Sequence, residues 1–229
     1  MQYDPVKRRL GVVFNRTPFL RKCFYGLLDL LLLRAWHIQR ELRQWITLRP
    51  LDSAQGGLAQ GDMVRQAHHD LSIYDAGAGF GQYSYWLSSR LPKANITAID
   101  VKEEQVADCN AFFQRIGRPQ VKFEVGDVTK YTKPDSFELV VCVDVMEHIL
   151  EDEAALRCYS TSLKTGGMLI ISTPSDQGGS DVHEEGEGSF IEEHVRDGYN
   201  IDDIRAKCLR NGFSKVEARY SYGAPGKIS

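Results

Sequence analysis

The sequence lacks cysteine pairs at the spacing that metal or redox sites use. Its five cysteines are scattered singly, without a C-x-x-C motif: Cys23, Cys109, Cys142, Cys158 and Cys208. This distribution argues against a disulfide framework and against a zinc site, and single thiols are typical of a reducing compartment. We therefore predict no metal centre and no structural disulfide.

Long uncharged runs are lacking as well. No uncharged stretch approaches the roughly 18–20 residues that a membrane-spanning helix needs. The apolar runs near the N-terminus are short and are broken by Arg16, Arg21 and Lys22, so no signal peptide is apparent. We expect a cytoplasmic chain, and association with a membrane surface stays open as an alternative.

Charge is unevenly distributed along the 229 residues. Residues 1–49 contain ten basic and three acidic residues, a net charge of +7, whereas the remaining 18 basic and 28 acidic residues give −10. The length suits one sizeable α/β domain with an appendage. A basic arm on an acidic body calls for an explanation in terms of a partner or a packing role.

Residues 19–46 predict one long amphipathic helix. Leu20, Phe24, Leu27, Leu31 and Trp36 recur at near-helical spacing. A Gly-rich stretch at 53–61 then has the composition of a linker. The predicted division is therefore a basic helical extension with its linker at 1–61 and a larger domain at 62–229.

Three hypotheses account for this basic extension. It could lie on an anionic membrane surface, or it could pack as a lid over the site or as a contact with a second copy through residues 19–46. Binding of nucleic acid is the least favoured, since the body is acidic and no recognition motif is present. The sequence leaves the first two open.

From residue 71 onward, strand and helix patterns alternate. The predicted strands are 71–74, 96–99, 121–125, 137–143, 168–172 and 215–221, and the predicted helices between them are 82–91, 103–116, 151–163 and 202–211. Such alternation predicts a parallel sheet covered by helices on both faces.

The stretch LSIYDAGAGFG at 71–81 predicts a strand that enters a glycine-rich turn and then a helix. A nicotinamide-binding turn prefers G-x-G-x-x-G/A, and Gln82 occupies the last position of that template. Asp75, just before the turn, would repel a pyrophosphate but would suit a cationic amine or sulfonium. The turn therefore favours a ligand with a cationic group over a dinucleotide.

Acidic residues follow the next two strands. Asp100 ends strand two, where a carboxylate can accept both hydroxyls of a ribose. Asp127 follows strand three and can accept the exocyclic amine of an adenine, while Val101 and Val128 could provide apolar walls for the ring.

Four motifs follow one another along the chain: D-x-G-x-G-x-G at the first turn, an acid after strand two, G-D after strand three and V-D-V-M-E-H after strand four. In this order they resemble the motifs of the class I S-adenosylmethionine-dependent methyltransferases, over about residues 62–220. The resemblance implies an α/β fold, with a Rossmann-like methyltransferase sheet in the order 3-2-1-4-5-7-6, strand seven being antiparallel, and S-adenosyl-L-methionine as cofactor. It assigns the methionine end to Asp75 and the turn, the ribose to Asp100, the adenine to Asp127 and Val128, and the neighbourhood of the sulfonium to Asp144. The implied cofactor-binding residues are Asp75, Gly77, Ala78, Gly79, Gly81, Asp100, Val101, Asp127, Val128 and Asp144.

The sequence departs from this pattern at its end. Only residues 222–229 follow predicted strand six, too few for strand seven. Because an unpaired sheet edge is costly, we expect a C-terminally truncated fragment.

Methyl transfer to a hydroxyl or an acidic carbon needs a general base, and three histidines lie in suitable places. His148 follows strand four, and His183 and His194 lie in the acidic connection after strand five, where residues 194–199 resemble an H-x-R-x-x-[FY] stretch of small-molecule methyltransferases. We rank His194 first and His183 second. The acids of 176–193 show no recurring ligand spacing and predict no metal site.

The predicted function is S-adenosylmethionine-dependent methyl transfer to a small or lipid-like acceptor, with O-, N- and C-methylation all open. The alternatives are a membrane-associated protein that binds the cofactor without turnover, and a nicotinamide-dependent oxidoreductase.

Overall fold

The sheet contains five parallel strands. A computed structural model describes residues 17–48, 71–177, 195–196 and 198–221. Its strands are β1 (Ser72–Ala76), β2 (Asn95–Asp100), β3 (Val121–Val125), β4 (Phe137–Val143) and β5 (Leu163–Ser172), in the spatial order β3-β2-β1-β4-β5. The strand order reverses between β1 and β4, and this confirms the Rossmann-like methyltransferase arrangement.

Six α-helices are described alongside the strands. They are α1 (Pro18–Leu31), α2 (Leu33–Leu48), α3 (Gln82–Arg90), α4 (Glu103–Arg115), α5 (Asp152–Ser162) and α6 (Ile201–Arg210), with a 3₁₀ turn at Met146–His148. No helix in this part of the chain is long and apolar enough to cross a membrane.

Alternation along the strands divides the core into two apolar layers. On one face, Ile73, Leu139 and Val141 pack in a cluster with side chains of α2, α3 and α4. On the other face, Tyr74 and Val140 pack with side chains of α5 and α6. Because successive side chains of a strand point to opposite faces, the central strands β1 and β4 are buried on both sides, and most of their residues are apolar.

The single helix predicted over residues 19–46 is wrong, since two helices meet at Leu32. Leu32 has extended backbone angles (φ −95°, ψ 106°), which end α1. The indole N–H of Trp36 donates to the carbonyl of Asp29, which a continuous helix would have paired internally. On either side of the break both helices contribute to the same apolar cluster: Tyr25 of α1 contacts Phe112 of α4, and Leu42 of α2 packs in the cluster with residues of the sheet.

Two further differences lie at the C-terminal side. Strand β5 begins at Leu163, five residues before the predicted start, because Leu163 already pairs with Phe137 ahead of an irregularity that precedes the Leu139–Met168 pair. The predicted strand at 215–221 does not form: Val216 packs against the apolar cluster next to α6, and Arg219 forms an ion pair with Glu41. Side-chain contacts rather than a strand partner therefore hold this segment.

The predicted boundary between residues 61 and 62 lies outside the described residues. Within them, Ile38, Leu42 and Trp45 of α2 belong to the same apolar cluster as the sheet residues Ile73 and Leu139.

Candidate functional site

The glycine-rich turn after β1 requires glycine for two different reasons. Gly77, Gly79 and Gly81 all have positive φ (69°, 53° and 76°), a conformation that favours glycine. A Cβ on Gly77 would lie 2.4 Å from Cγ2 of Val145, and one on Gly81 would lie 2.8 Å from Cζ of Phe123. At Gly79 the nearest such atom is 3.9 Å away. Packing thus requires Gly77 and Gly81, whereas Gly79 borders open space that a ligand can fill.

The N–H groups of this turn are used inside the protein. Gly77 and Ala78 both donate to the carbonyl of Ile99, at 2.8 and 3.0 Å. Gly79 donates to Oδ2 of Asp100 at 2.9 Å. A phosphate cradle needs such N–H groups directed at the ligand. The local geometry therefore disfavours a pyrophosphate at these three residues.

Asp75 lies beneath the turn rather than on its surface. Its side chain is buried, and Oδ2 accepts a hydrogen bond of 2.6 Å from the hydroxyl of Ser84 in α3. Burial raises the pKa of Asp75 to about 6, although the hydrogen bonds from Ser84 oppose the shift. Asp75 therefore ties β1 to α3, and its contact with the methionine end of a cofactor stays a prediction.

Asp100 at the end of β2 both shapes the turn and keeps acceptor capacity. It accepts from Gly79 N through Oδ2 and from Lys102 N through Oδ1, at 2.9 and 3.0 Å. A carboxylate has about four lone-pair sites, so about two are left for the two hydroxyls of a ribose. The next residue, Val101, is exposed, as expected for a wall that a ligand would cover.

Asp127 follows β3 and is held by its own loop. It accepts from the hydroxyl and from the backbone N–H of Thr129, at 2.7 and 2.9 Å, and Lys130 lies 3.2 Å from it. The hydrogen bonds from Thr129 and, to a smaller degree, Lys130 lower the pKa of Asp127 below its ordinary value. The side chain of Val128 is buried in the apolar cluster beside α5, whereas the side chain of Val101 is exposed.

Asp144 follows β4, and the N-terminal helices reach it. Its φ is +54°, an uncommon value for a residue other than glycine, and it forms an ion pair with Arg34 of α2. A second contact joins α1 to α3, where Nε2 of Gln82 donates to Oδ1 of Asp29 at 2.7 Å. Burial and then the charge of Asp144 raise the pKa of Tyr83.

Sequence reasoning missed Arg34 and Asp29 as neighbours of the site. They lie far from Gln82 and Asp144 along the chain, and no local motif connects them. The excess of basic residues in 1–49 was the only signal, and it did not single out Arg34.

The candidate histidines are only partly described. His148 ends the 3₁₀ turn after β4 and is half-buried, while His183 and His194 lie outside the described residues. The neighbour of His194, Val195, donates its N–H to the carbonyl of Glu147 at 3.0 Å. Position 195 is thus fixed beside the 3₁₀ turn, and catalysis by any of the three histidines stays a prediction.

Glu147 is a buried acid of the V-D-V-M-E-H motif, and the sequence predicted no function for it. Its Oε2 accepts from the hydroxyl of Thr173 at 3.0 Å, and burial raises the pKa of the carboxyl. Glu147 therefore links the connection after β4 to the start of the connection after β5.

The H-x-R-x-x-[FY] stretch anchors the second connection to α5. Oδ2 of Asp152 accepts from Arg196 at 2.6 Å, from the hydroxyl of Tyr199 at 2.7 Å and from Lys207 at 2.7 Å. Arg196 also donates to the carbonyl of Ile149 at 2.6 Å. In the described part of this stretch, the arginine and the tyrosine thus serve to position the chain.

Comparison with known proteins places this arrangement in a family. Residues 73–167 match the family model of the methyltransferase domain. A ubiquinone biosynthesis O-methyltransferase of Xanthomonas euvesicatoria pv. vesicatoria is 34% identical over 103 residues, which cover 44% of this chain and 42% of that protein. A phosphoethanolamine N-methyltransferase of Triticum aestivum is 28% identical over 148 residues, 64% of this chain and 28% of that protein. The matches therefore span less than half of the length of these relatives.

Solved structures show the same fold. The YcgJ protein of Bacillus subtilis superposes with a TM-score of 0.53 at 23% identity, over 66% of each chain. Phosphoethanolamine N-methyltransferase 2 of Haemonchus contortus, solved with S-adenosyl-L-methionine, has a TM-score of 0.52 at 19% identity, over 83% of this chain and 44% of that one.

The fold and the acids at the strand ends define a methyltransferase-type domain, and the comparisons specify it. The chain carries a class I S-adenosylmethionine-dependent methyltransferase domain, as its motifs indicated, and S-adenosylmethionine is the cofactor of that family.

Proposed function

We propose that this protein transfers a methyl group from S-adenosylmethionine to a small organic acceptor. One observation carries the proposal: Gly79, Asp100, Asp127 and Asp144 lie at or beyond the carboxyl ends of four adjacent strands, where ligands of open α/β sheets bind. When bound, the cofactor supplies an electrophilic methyl group and its own leaving group. The protein then has to hold the acceptor in line and exclude water.

The residues present fit such a cofactor in three respects. Gly79 leaves space where a side chain would stand, and Asp100 keeps free acceptor sites for a ribose. The site is also lined by carboxylates, which suit a sulfonium better than a phosphate. Asp127 with the exposed Val101 would border the adenine, and Asp144 would lie near the positive charge.

The acceptor side is less determined. The relatives named above methylate oxygen in one case and nitrogen in the other, so the methylated atom in this protein stays open, as does a lipid-like character of the acceptor. Nothing in the comparisons favours a nicotinamide-dependent oxidoreductase or a binding protein without turnover, and the internally bonded turn speaks against the former.

Calorimetric titration with S-adenosylmethionine and S-adenosylhomocysteine tests the proposal. Asp100→Asn should weaken binding of both by about 1–3 kcal/mol, roughly 5- to 150-fold, because charge-assisted bonds to the ribose are lost. Glu124→Gln, an isosteric change of an exposed carboxylate on β3, is the matched control and should leave affinity unchanged. If the folded wild-type protein binds neither compound, the proposed function is wrong; an unchanged affinity in Asp100→Asn would remove Asp100 from the site.

A further inference from the structure

The outer face of α1 and of the start of α2 is apolar. Six large apolar side chains there are between 46 and 72% exposed: Phe19, Leu27, Leu30, Leu31, Leu33 and Trp36. The exposed positions of α1 recur at helical spacing and therefore share one side of the helix. We call these six residues the outer patch. Large apolar side chains exposed in such a group are unusual unless a partner covers them.

Helix α1 is inverted relative to an ordinary surface helix. Its most buried residues are Arg21 and Tyr25, while Leu27, Leu30 and Leu31 are exposed. Arg21 donates to the hydroxyl of Tyr25 at 2.8 Å and to the carbonyl of Phe80 at 2.9 Å, and its guanidinium lies over the ring of Phe112. Polar contacts with the glycine-rich turn thus hold the inner face, and the leucines are left available for something else.

The charges around the outer patch are positive. Lys22, Arg40 and Arg43 are exposed on the two helices. The only acids in residues 17–48 are Asp29 and Glu41, and both are engaged, by Gln82 and by Arg219. A surface with apolar centre and basic surroundings, on a chain of net charge −3, is complementary to an anionic apolar partner.

The patch borders the candidate site. Asp29 and Arg34, which flank the junction of the two helices, contact Gln82 and Asp144 beyond β1 and β4. Leu30, Leu31 and Leu33 lie between them in the chain. Whatever covers the outer patch is therefore next to the mouth of the site.

We propose that the outer patch docks on the surface of an anionic lipid bilayer. Its leucines enter the boundary between headgroups and acyl chains, Trp36 lies at the interface, and the three exposed basic residues face anionic headgroups. Together with the proposed function, on which this step rests, the orientation assigns an amphiphilic methyl acceptor to the site. The methylated group of that acceptor would lie at the lipid–water boundary.

Vesicle co-sedimentation with the full chain tests the docking. We expect binding to phosphatidylcholine vesicles that contain about 30 mol % phosphatidylglycerol, and binding at least about tenfold weaker to phosphatidylcholine alone, since each basic residue near an anionic surface contributes about fivefold. The double variant Leu30→Gln/Leu31→Gln should lower the partition coefficient at least about tenfold. The matched control, Leu150→Gln/Leu209→Gln, changes exposed leucines near α5 and α6 and should bind like the wild type.

Three results would overturn the docking: no binding of the folded wild type to anionic vesicles, equal loss in both double variants, or no loss in either. Analytical ultracentrifugation tests whether a second copy of the chain covers the outer patch instead. A wild-type dimer that becomes monomeric in Leu30→Gln/Leu31→Gln and binds no vesicle would assign the patch to a second copy. Titration of the same samples with S-adenosylhomocysteine keeps the two proposals separate, because cofactor binding without vesicle binding refutes only the docking.

Discussion

Asp75 should make the stability of this protein depend on pH in a direction opposite to that of most carboxylates. Burial raises its pKa from 3.8 to about 6, so the folded state holds the proton more tightly than the unfolded chain does. Stability from this group is therefore fully present below pH 3.8 and is lost as the pH rises through about 6. At 1.36 kcal/mol per pKa unit, the loss across this window is about 3 kcal/mol.

The substitution Asp75→Asn isolates this effect, because the amide keeps an oxygen that can accept from Ser84 but cannot ionise. Urea unfolding should be followed by tryptophan fluorescence from about pH 4 to about pH 7.5, with constant m-values as the check on two-state behaviour. The wild type should lose about 2.4 kcal/mol relative to the variant over this range, because part of the loss is already complete at pH 4. Glu124→Gln, at an exposed position of β3, should show no such trend. A difference between wild type and Asp75→Asn that stays flat within about 0.5 kcal/mol would refute the reasoning.

Two further substitutions test packing around the site. Gly77→Ala should lower the free energy of unfolding by about 2–4 kcal/mol, because its Cβ would collide with the stiff side chain of Val145. Gly117→Ala has a similar φ (+72°) but no neighbour within 4 Å, so it should cost only about 1–2 kcal/mol; equal urea midpoints would contradict the collision. Asp152→Asn should cost about 1.5–3 kcal/mol at neutral pH by weakening the bonds from Lys207 and its neighbours. Burial alone would raise the pKa of Asp152, but these hydrogen bonds hold it below its ordinary value. The destabilisation caused by Asp152→Asn should therefore shrink as Asp152 of the wild type protonates in acid. A difference in the free energy of unfolding that stays constant down to about pH 3 would contradict this prediction.

The strands and the acids that follow them could be predicted because local pattern decides both. In FELVVCV only Glu138 interrupts the apolar run, and a strand that is covered on both faces needs such a composition. The bounds of β4 are the predicted ones. Asp100 and Asp144 come at the ends of such runs, and the carboxyl ends of parallel strands lie at one edge of the sheet. Once the strand ends were known, the grouping of these side chains followed from topology alone.

The break at Leu32 could not be predicted, because its cause is tertiary. A run of leucines is compatible equally with one helix or with two, and Leu32 differs from its neighbours only in what surrounds it. The ion pair between Arg34 and Asp144 has the same origin. Segment 215–221 shows the reverse case: its pattern suits a strand, but its side chains engage Glu41 and the cluster near α6 instead.

The net charge of the N-terminal segment illustrates why a sum of charges predicts a partner poorly. Arg21 is buried in the core, where its guanidinium donates a hydrogen bond to the carbonyl of Phe80 in the glycine-rich turn. Arg34 forms an ion pair with Asp144 at the site. Arg21 does not expose its guanidinium to solvent, because its side chain is buried. Arg34 cannot attract a distant anion either, since a charge that an ion pair compensates at short range contributes little beyond a Debye length of about 10 Å. The attraction that remains on α1 and α2 comes from the exposed side chains of Lys22, Arg40 and Arg43, and the same helices carry the exposed leucines. That combination fits a bilayer better than a nucleic acid, because phosphate contacts alone would leave the leucines in water.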